Sequence, residues 1–149
     1  ELAEGRFEPV LDDRVVLPAR VRRVVMCTGK VYFDLLKARE DQKREDVALV
    51  RLERLYPFPS AELGAALARY AAEAEIVWCQ EEPRNMGGWR HIQHYLMRHL
   101  LPHQKLFYAG RESSASPAAG YKSLHDRQQK ELVELALSVG VASRADGVR

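Results

Sequence analysis

The stretch V-W-C-Q-E-E-P-R-N-M-G-G-W, residues 77–89, decides how the chain is read. A short apolar run ends in two adjacent carboxylates, Glu81 and Glu82. Proline has no N–H to give a ladder, so the strand is expected to stop at Pro83. Gly87 and Gly88 free the backbone before Trp89 opens an amphipathic segment. The order is strand, tight polar loop, helix. The loop then lies at the C-terminal end of a buried strand, where open α/β sheets place ligands and interfaces.

Outward from this unit the same alternation recurs. Residues 21–27, 47–52, 76–80 and 106–108 read as strands. The turn Thr28-Gly29-Lys30 leads into a helix with Tyr32, Leu35, Leu36 and Arg39 on its stripe, the aliphatic stem of Arg39 closing it. After the rigid turn Tyr56-Pro57-Phe58-Pro59, Ser60 is expected to cap a helix carrying Leu63, Ala66, Leu67 and Tyr70. Trp89, Ile92, Leu96 and Leu100 mark a third helix. Ser123, with Asp126 three residues on, is expected to cap a fourth along Leu124, Gln128, Leu132, Leu135 and Val139. Residues 1–20 form an extended lead-in with one short edge strand, 21–140 the α/β unit, and 141–149 a frayed, disordered tail. The alternation predicts a three-layer α/β/α sandwich with a mostly parallel sheet, right-handed crossovers and helices on both faces.

The bulk properties narrow the function classes. A chain of 149 residues suits one domain. A net charge of +2 with scattered basic residues points to no nucleic-acid partner. No apolar run is long enough to span a membrane, no secretory signal is present, and no membrane partner is expected. Cys27 and Cys79 fall within predicted strands and read as buried thiols, the usage of a cytoplasmic protein. The chain opens at Glu1 in mid-pattern, which reads as a piece of something longer.

Several constellations invite chemistry. Thr28-Gly29-Lys30 joins a strand end to a helix start, where free N–H groups and a lysine suit a phosphate or carboxylate. The glycine-rich run of a P-loop is missing, and a plain turn is the simpler reading. Neighbours on an extended chain point to opposite sides. Glu81 and Glu82 are therefore expected to act in an interface or ion pair with Arg84 or Arg90, not to share a proton. With Asn85 and Trp89 they would form an interface loop, Trp89 and Met86 contributing an exposed apolar patch. His91, His94, His99 and His103 lack the register and the helical Glu of a zinc set and read as surface residues, leaving no metal site. Ser113, Ser114 and Ser116 show no nucleophile elbow and read as backbone-satisfying loop residues. Thr28, Lys30, Arg54, Gln80, Glu81 and Arg111 would line a polar rim at the strand C-termini. That rim contains no nucleophile with its base, so no catalytic residue is assigned.

Four segments carry a resemblance. They are C-T-G-K-V-Y-F-D-L (residues 27–35), V-R-L-E-R-L-Y-P-F-P (50–59), W-C-Q-E-E-P-R-N-M-G-G-W (78–89) and Y-A-G-R-E-S-S-A-S-P-A-A-G (108–120). In order and spacing they resemble the C-terminal domain of the thiamine-diphosphate-dependent decarboxylating component of 2-oxoglutarate dehydrogenase, over residues 5–139. The resemblance implies a transketolase C-terminal-like fold in an oxidoreductase of the tricarboxylic acid cycle. That enzyme decarboxylates 2-oxoglutarate on thiamine diphosphate and Mg²⁺ and passes the succinyl group to the lipoyl-bearing succinyltransferase component. The cofactors are held by domains N-terminal to this one, so this stretch is expected to be inactive alone and to support a dimer with a second copy of the subunit. Glu112-Ser113 follow Arg111 where the family usually has Pro-Ala. In an actinobacterial branch acetyl-CoA binds two adjacent arginines preceded by a glutamine. Those positions hold Ala61, Glu62 and Arg54 here, and Glu62 would repel phosphate. An AMP-like effector stays open, with Thr28, Lys30, Arg54 and Arg111 as the anion-binding candidates. The other reading of the chain is a self-standing anion- or nucleotide-binding regulatory module.

Overall fold

The computed structural model describes residues 7–116 and 120–141. Five strands form one sheet: β1 (Val10–Leu11), β2 (Arg23–Cys27), β3 (Val47–Leu52), β4 (Glu75–Pro83) and β5 (Leu106–Arg111). Four α-helices, α1 (Val31–Asp41), α2 (Ser60–Leu67), α3 (Trp89–Arg98) and α4 (Lys122–Leu137), cover it. The strand order is β1-β3-β2-β4-β5. β2 to β5 run parallel, and β1 is antiparallel on the β3 edge, with Val10 opposite Leu52. This is the three-layer architecture expected from the alternation.

Burial sorts the two sheet faces. Val24, Met26, Ala48, Val50 and Trp78 face Leu63 of α2 and Ile92 and Leu96 of α3. Val25, Cys27, Leu49, Val77 and Cys79 face Leu35 of α1 and Leu132 and Ala136 of α4. The chain moves from β2 toward one edge through α1, then back across β2 through α2 and onward through α3. Crossovers of one hand require those two directions to use opposite faces, and they do. Trp78 is 0% exposed, and both cysteines are buried and unbridged.

Several local expectations need correction. β4 does not stop before Pro83 but runs through it. The ladder shifts register after Cys79 and re-forms at Pro83 opposite Arg111, so the proline occupies an irregular strand end where its missing N–H costs nothing. β5 likewise continues to Arg111. Neither expected serine cap forms. Pro59 is the N-cap of α2 and Tyr121 of α4, without side-chain caps, so Ser60 and Ser123 lie inside the first turns. Tyr70 and Leu100 pack against the core but lie beyond the ends of α2 and α3.

Residues 7–20 are built into the fold. The buried Asp13 carboxylate accepts the Val15 and Val16 N–H groups and, at 2.8 Å, the Leu49 N–H of β3 where β1 ends. It also pairs with Arg39, whose guanidinium is buried and donates to the Val47 carbonyl at 3.2 Å. Arg39 therefore contributes its charge, not merely its stem. Burial alone would raise the Asp13 carboxyl, but the Leu49 and Val15 N–H groups and Arg39 together hold it below the usual carboxylate range. The expected tail lies, apart from Val141, outside the described residues.

Candidate functional site

The strand order reverses between β2 and β4, and the crevice beyond their C-terminal ends is where a doubly wound sheet places a ligand. The turn after β2 and the loop after β4 meet there. Gly29 adopts φ +73°, a left-handed conformation that glycine takes without cost. The Thr28 hydroxyl donates to the Leu52 carbonyl of β3 at 2.7 Å. Lys30 Nζ donates to Glu81 Oε1 at 2.8 Å, and that bond, with the charge of Glu81, raises the Lys30 pKa. Gln129 of α4 donates to the same oxygen at 3.0 Å and to Asp34 of α1 at 2.8 Å. The switch point is thus spanned by a network tying α1, β4 and α4. Glu81 is engaged by Lys30 and Gln129, where the local sequence suggested Arg84 or Arg90.

Beneath the loop lies Gln80, 1% exposed. Its Oε1 accepts the Trp78 indole N–H and the Trp89 backbone N–H, each at 3.0 Å. Its Nε2 donates to the carbonyls of Glu82, Pro83 and Met86 at 3.2, 3.1 and 2.9 Å. One side chain therefore fixes both ends of the loop and satisfies a first-turn N–H of α3, which has no side-chain N-cap of its own. Gly87 has φ +65°, and a Cβ there would lie 3.1 Å from Gln80 Nε2 and 3.0 Å from Glu82 Cβ. The loop closes this tightly only with glycine at that position.

The expected interface residues divide. Glu82 and Asn85 are exposed and Glu81 is partly so. Asn85 forms a reciprocal pair with Ser114, donating to its carbonyl at 2.8 Å and accepting its N–H at 3.0 Å. This ties the loop after β4 to the loop after β5 through the Ser114 backbone, while the Ser114 hydroxyl accepts the Ser116 N–H at 3.2 Å, the backbone-satisfying role expected of that serine. Trp89 is not part of an exposed patch. It is 3% exposed, and its ring lies 5.1 Å from that of Tyr108, a phenol whose pKa burial raises. Met86 is half-buried.

The four anion-binding candidates do not converge on one unoccupied point. Thr28 and Lys30 are engaged as described. Arg54 lies 3.8 Å from Glu62, and Arg111 ends β5, on the far side of β4 from β2. Among the described residues no group of three or more His, Cys, Asp or Glu side chains is placed to hold a metal ion. His91, His94 and His103 are exposed, and burial lowers the pKa of half-buried His99. No helix among the described residues is long and apolar enough to cross a membrane.

Comparison with known proteins adds the family. A family model described as 2-oxoglutarate dehydrogenase C-terminal matches residues 1–137. The 2-oxoglutarate dehydrogenase E1 component of Cupriavidus necator is 50% identical over 139 residues, covering 93% of this chain and 15% of that relative. Those of Azotobacter vinelandii and Haemophilus influenzae are 50% and 51% identical over the same shares. The chain spans about 15% of the length of these curated relatives.

Proposed function

The chain belongs to the 2-oxoglutarate dehydrogenase C-terminal family, and from that premise we propose that it is the C-terminal domain of a decarboxylating component acting on 2-oxoglutarate. The complete polypeptide would be a bacterial cytoplasmic oxidoreductase of the tricarboxylic acid cycle. It would bind thiamine diphosphate and Mg²⁺ and deliver a succinyl group to the lipoyl-bearing succinyltransferase component. The residues of this domain do not fit that cofactor. Among the described residues none gather as a metal site, and Lys30 and Arg54 lie against the carboxylates of Glu81 and Glu62. We therefore assign cofactor binding to other parts of the polypeptide, as the family resemblance implies.

The role of this domain is support of subunit assembly and of the active-site entrance, through the loop of residues 81–88. The observation that carries this reading is the Gln80 staple. Burying a primary amide to hold an exposed, charged loop in one shape suits a docking surface and supplies no catalytic group. The other reading, a self-standing anion-binding module, is not favoured, because Thr28 and Lys30 spend their polar groups within the chain.

The test is substitution in the full-length polypeptide. Truncating one partner at a desolvated contact costs on the order of 2–5 kcal/mol, and far less at a wet rim. Glu81→Ala or Glu82→Ala is expected to weaken the dimer or lower turnover more than Glu40→Ala on the solvated face of α1. Sedimentation equilibrium and steady-state activity measure both. Equal behaviour of the three variants would make the loop an ordinary solvated turn.

A further inference from the structure

The large exposed apolar side chains are not spread evenly. Among the described residues they are Phe7, Val15, Leu17, Phe33, Tyr56, Met97, Leu101, Tyr121 and Val141. The aromatic ones all lie at the C-terminal end of the sheet, and the aliphatic ones all lie at the other end.

The topology fixes each position. Phe33 is in the first turn of α1, just after β2, and Arg51 of β3 lies 5.6 Å from its ring. Tyr56 follows the C-terminal end of β3. Phe7 precedes Pro9, whose carbonyl accepts the Glu53 and Arg54 N–H groups just past β3. Tyr121 opens α4, which meets Glu81 through Gln129 and reaches Arg23, at the start of β2, through the Ser138 carbonyl. At 1.5 Å per residue, Tyr121 stands about 12 Å up the helix from Gln129, beyond the rim. By contrast Val15 and Leu17 lie between β1 and β2, Met97 and Leu101 at the end of α3, and Val141 past α4.

The exposures are large: 62% for Phe7, 60% for Phe33, 90% for Tyr56 and 77% for Tyr121. A single exposed aromatic needs no explanation. Aromatic enrichment on one face, beside charged groups already tied into a network, is the composition of a protein-contact surface. Resting on the reading that this chain is one domain of a longer polypeptide, we propose that this end packs against the remainder of that polypeptide, with Phe7, Phe33, Tyr56 and Tyr121 as its anchors. The choice of occupant follows from length. The relatives are several times longer than the matched region, which is 15% of each. Among the described residues the opposite end exposes no large aromatic side chain, only aliphatic ones, and it is expected to remain solvated.

Hydroxyl-radical footprinting read by mass spectrometry tests this, because it reports side-chain exposure residue by residue. The 149-residue chain and the full-length polypeptide are labelled side by side. Each anchor is expected to label roughly tenfold more slowly in the full-length protein, as the dry centre of an interface requires, while Val15 and Leu17 change by less than about twofold. Unchanged labelling of the four aromatics in an active full-length enzyme would overturn the proposal while leaving the domain assignment intact. Sedimentation velocity of the 149-residue chain supplies the second arm. A monomer is expected. A dimer that dissociates on Phe33→Ser or Tyr121→Ser, but not on Leu17→Ser, would assign the face to a second copy and overturn the choice of occupant.

Discussion

Replacing Gln80 by leucine is the sharpest perturbation of the loop, because the volume is nearly conserved and the hydrogen bonds are not. The Trp78 indole N–H and the Trp89 backbone N–H would both lose their acceptor in a buried setting. An orphaned buried donor costs about 1–3 kcal/mol. The carbonyls of Pro83 and Met86 also lose their donor, but a carbonyl tolerates this better, and part of the loop reaches water. Leucine regains some apolar burial. The net loss is then about 2–5 kcal/mol. With a urea slope of about 2 kcal/mol per M, the unfolding midpoint falls by about 1–2.5 M. Tryptophan fluorescence is the natural assay, since both indoles flank the site. Gln80→Glu is a second variant, placing a carboxylate oxygen among carbonyls with no proton between them. It is expected to be at least as destabilised at neutral pH and to recover partly as acid protonates it. Gln93→Leu, on half-buried surface of α3, is the control. A midpoint shift for Gln80→Leu no larger than that of the control would refute the staple.

Two further outcomes follow from the buried polar and thiol groups. Asp13→Ala leaves the Arg39 guanidinium buried and unpaired and should cost about 3–5 kcal/mol in urea unfolding at neutral pH. Because the folded Asp13 carboxyl is depressed, its contribution is present above the ordinary value of 3.8 and lost as the pH falls below it, so the wild-type midpoint should drop there more steeply than that of the variant. Burial pushes the Cys27 thiol up to about 12 and the Cys79 thiol well above its usual range. Neither should react with a bulky disulfide reagent in the native chain at a rate within roughly a hundredfold of the unfolded chain, since labelling requires opening of the sheet; rapid native labelling would contradict their placement.

The legible part of the fold was carried by periodicity. Residues 47–52 appear as a strand with the expected ends because continuous apolar runs buried on both faces leave no alternative. Where the outcome depended on contacts distant in sequence, local spacing misled. Ser60 and Ser123 satisfy the local signature of a cap, yet entry to α2 and α4 is set one or two residues earlier by Pro59 and Tyr121. As part of the charged interface loop Trp89 is expected in an exposed patch, but Tyr108 and Gln80, brought close by β5 and β4, hold it inside. Asp13 carried no periodic signal, and its partner Arg39 lies 26 residues away. For Gln80 there was a usable sign. An uncharged polar residue directly after V-W-C, in a run whose neighbours are buried on both faces, has to find internal partners. Of the expected rim, Lys30 and Glu81 lie at the strand C-termini, but Gln80 is buried beneath the loop instead of lining it, and the pairing of Lys30 with Glu81 was not readable, since it depends on the order in which the strands sit side by side.

The most direct measurement is domain replacement. The E1 component of Cupriavidus necator would be truncated before its homologous C-terminal segment, and the present chain fused in its place. Thiamine-diphosphate- and Mg²⁺-dependent release of CO₂ from 2-oxoglutarate is then compared for the truncated protein, the fusion and the chain alone. No turnover is expected from the truncated protein or the isolated chain, and activity in the fusion is expected within about tenfold of the intact relative, a loss of no more than about 1.4 kcal/mol in transition-state stabilisation. Turnover by the isolated chain, or a soluble, folded fusion no more active than the truncated protein, would contradict this expectation.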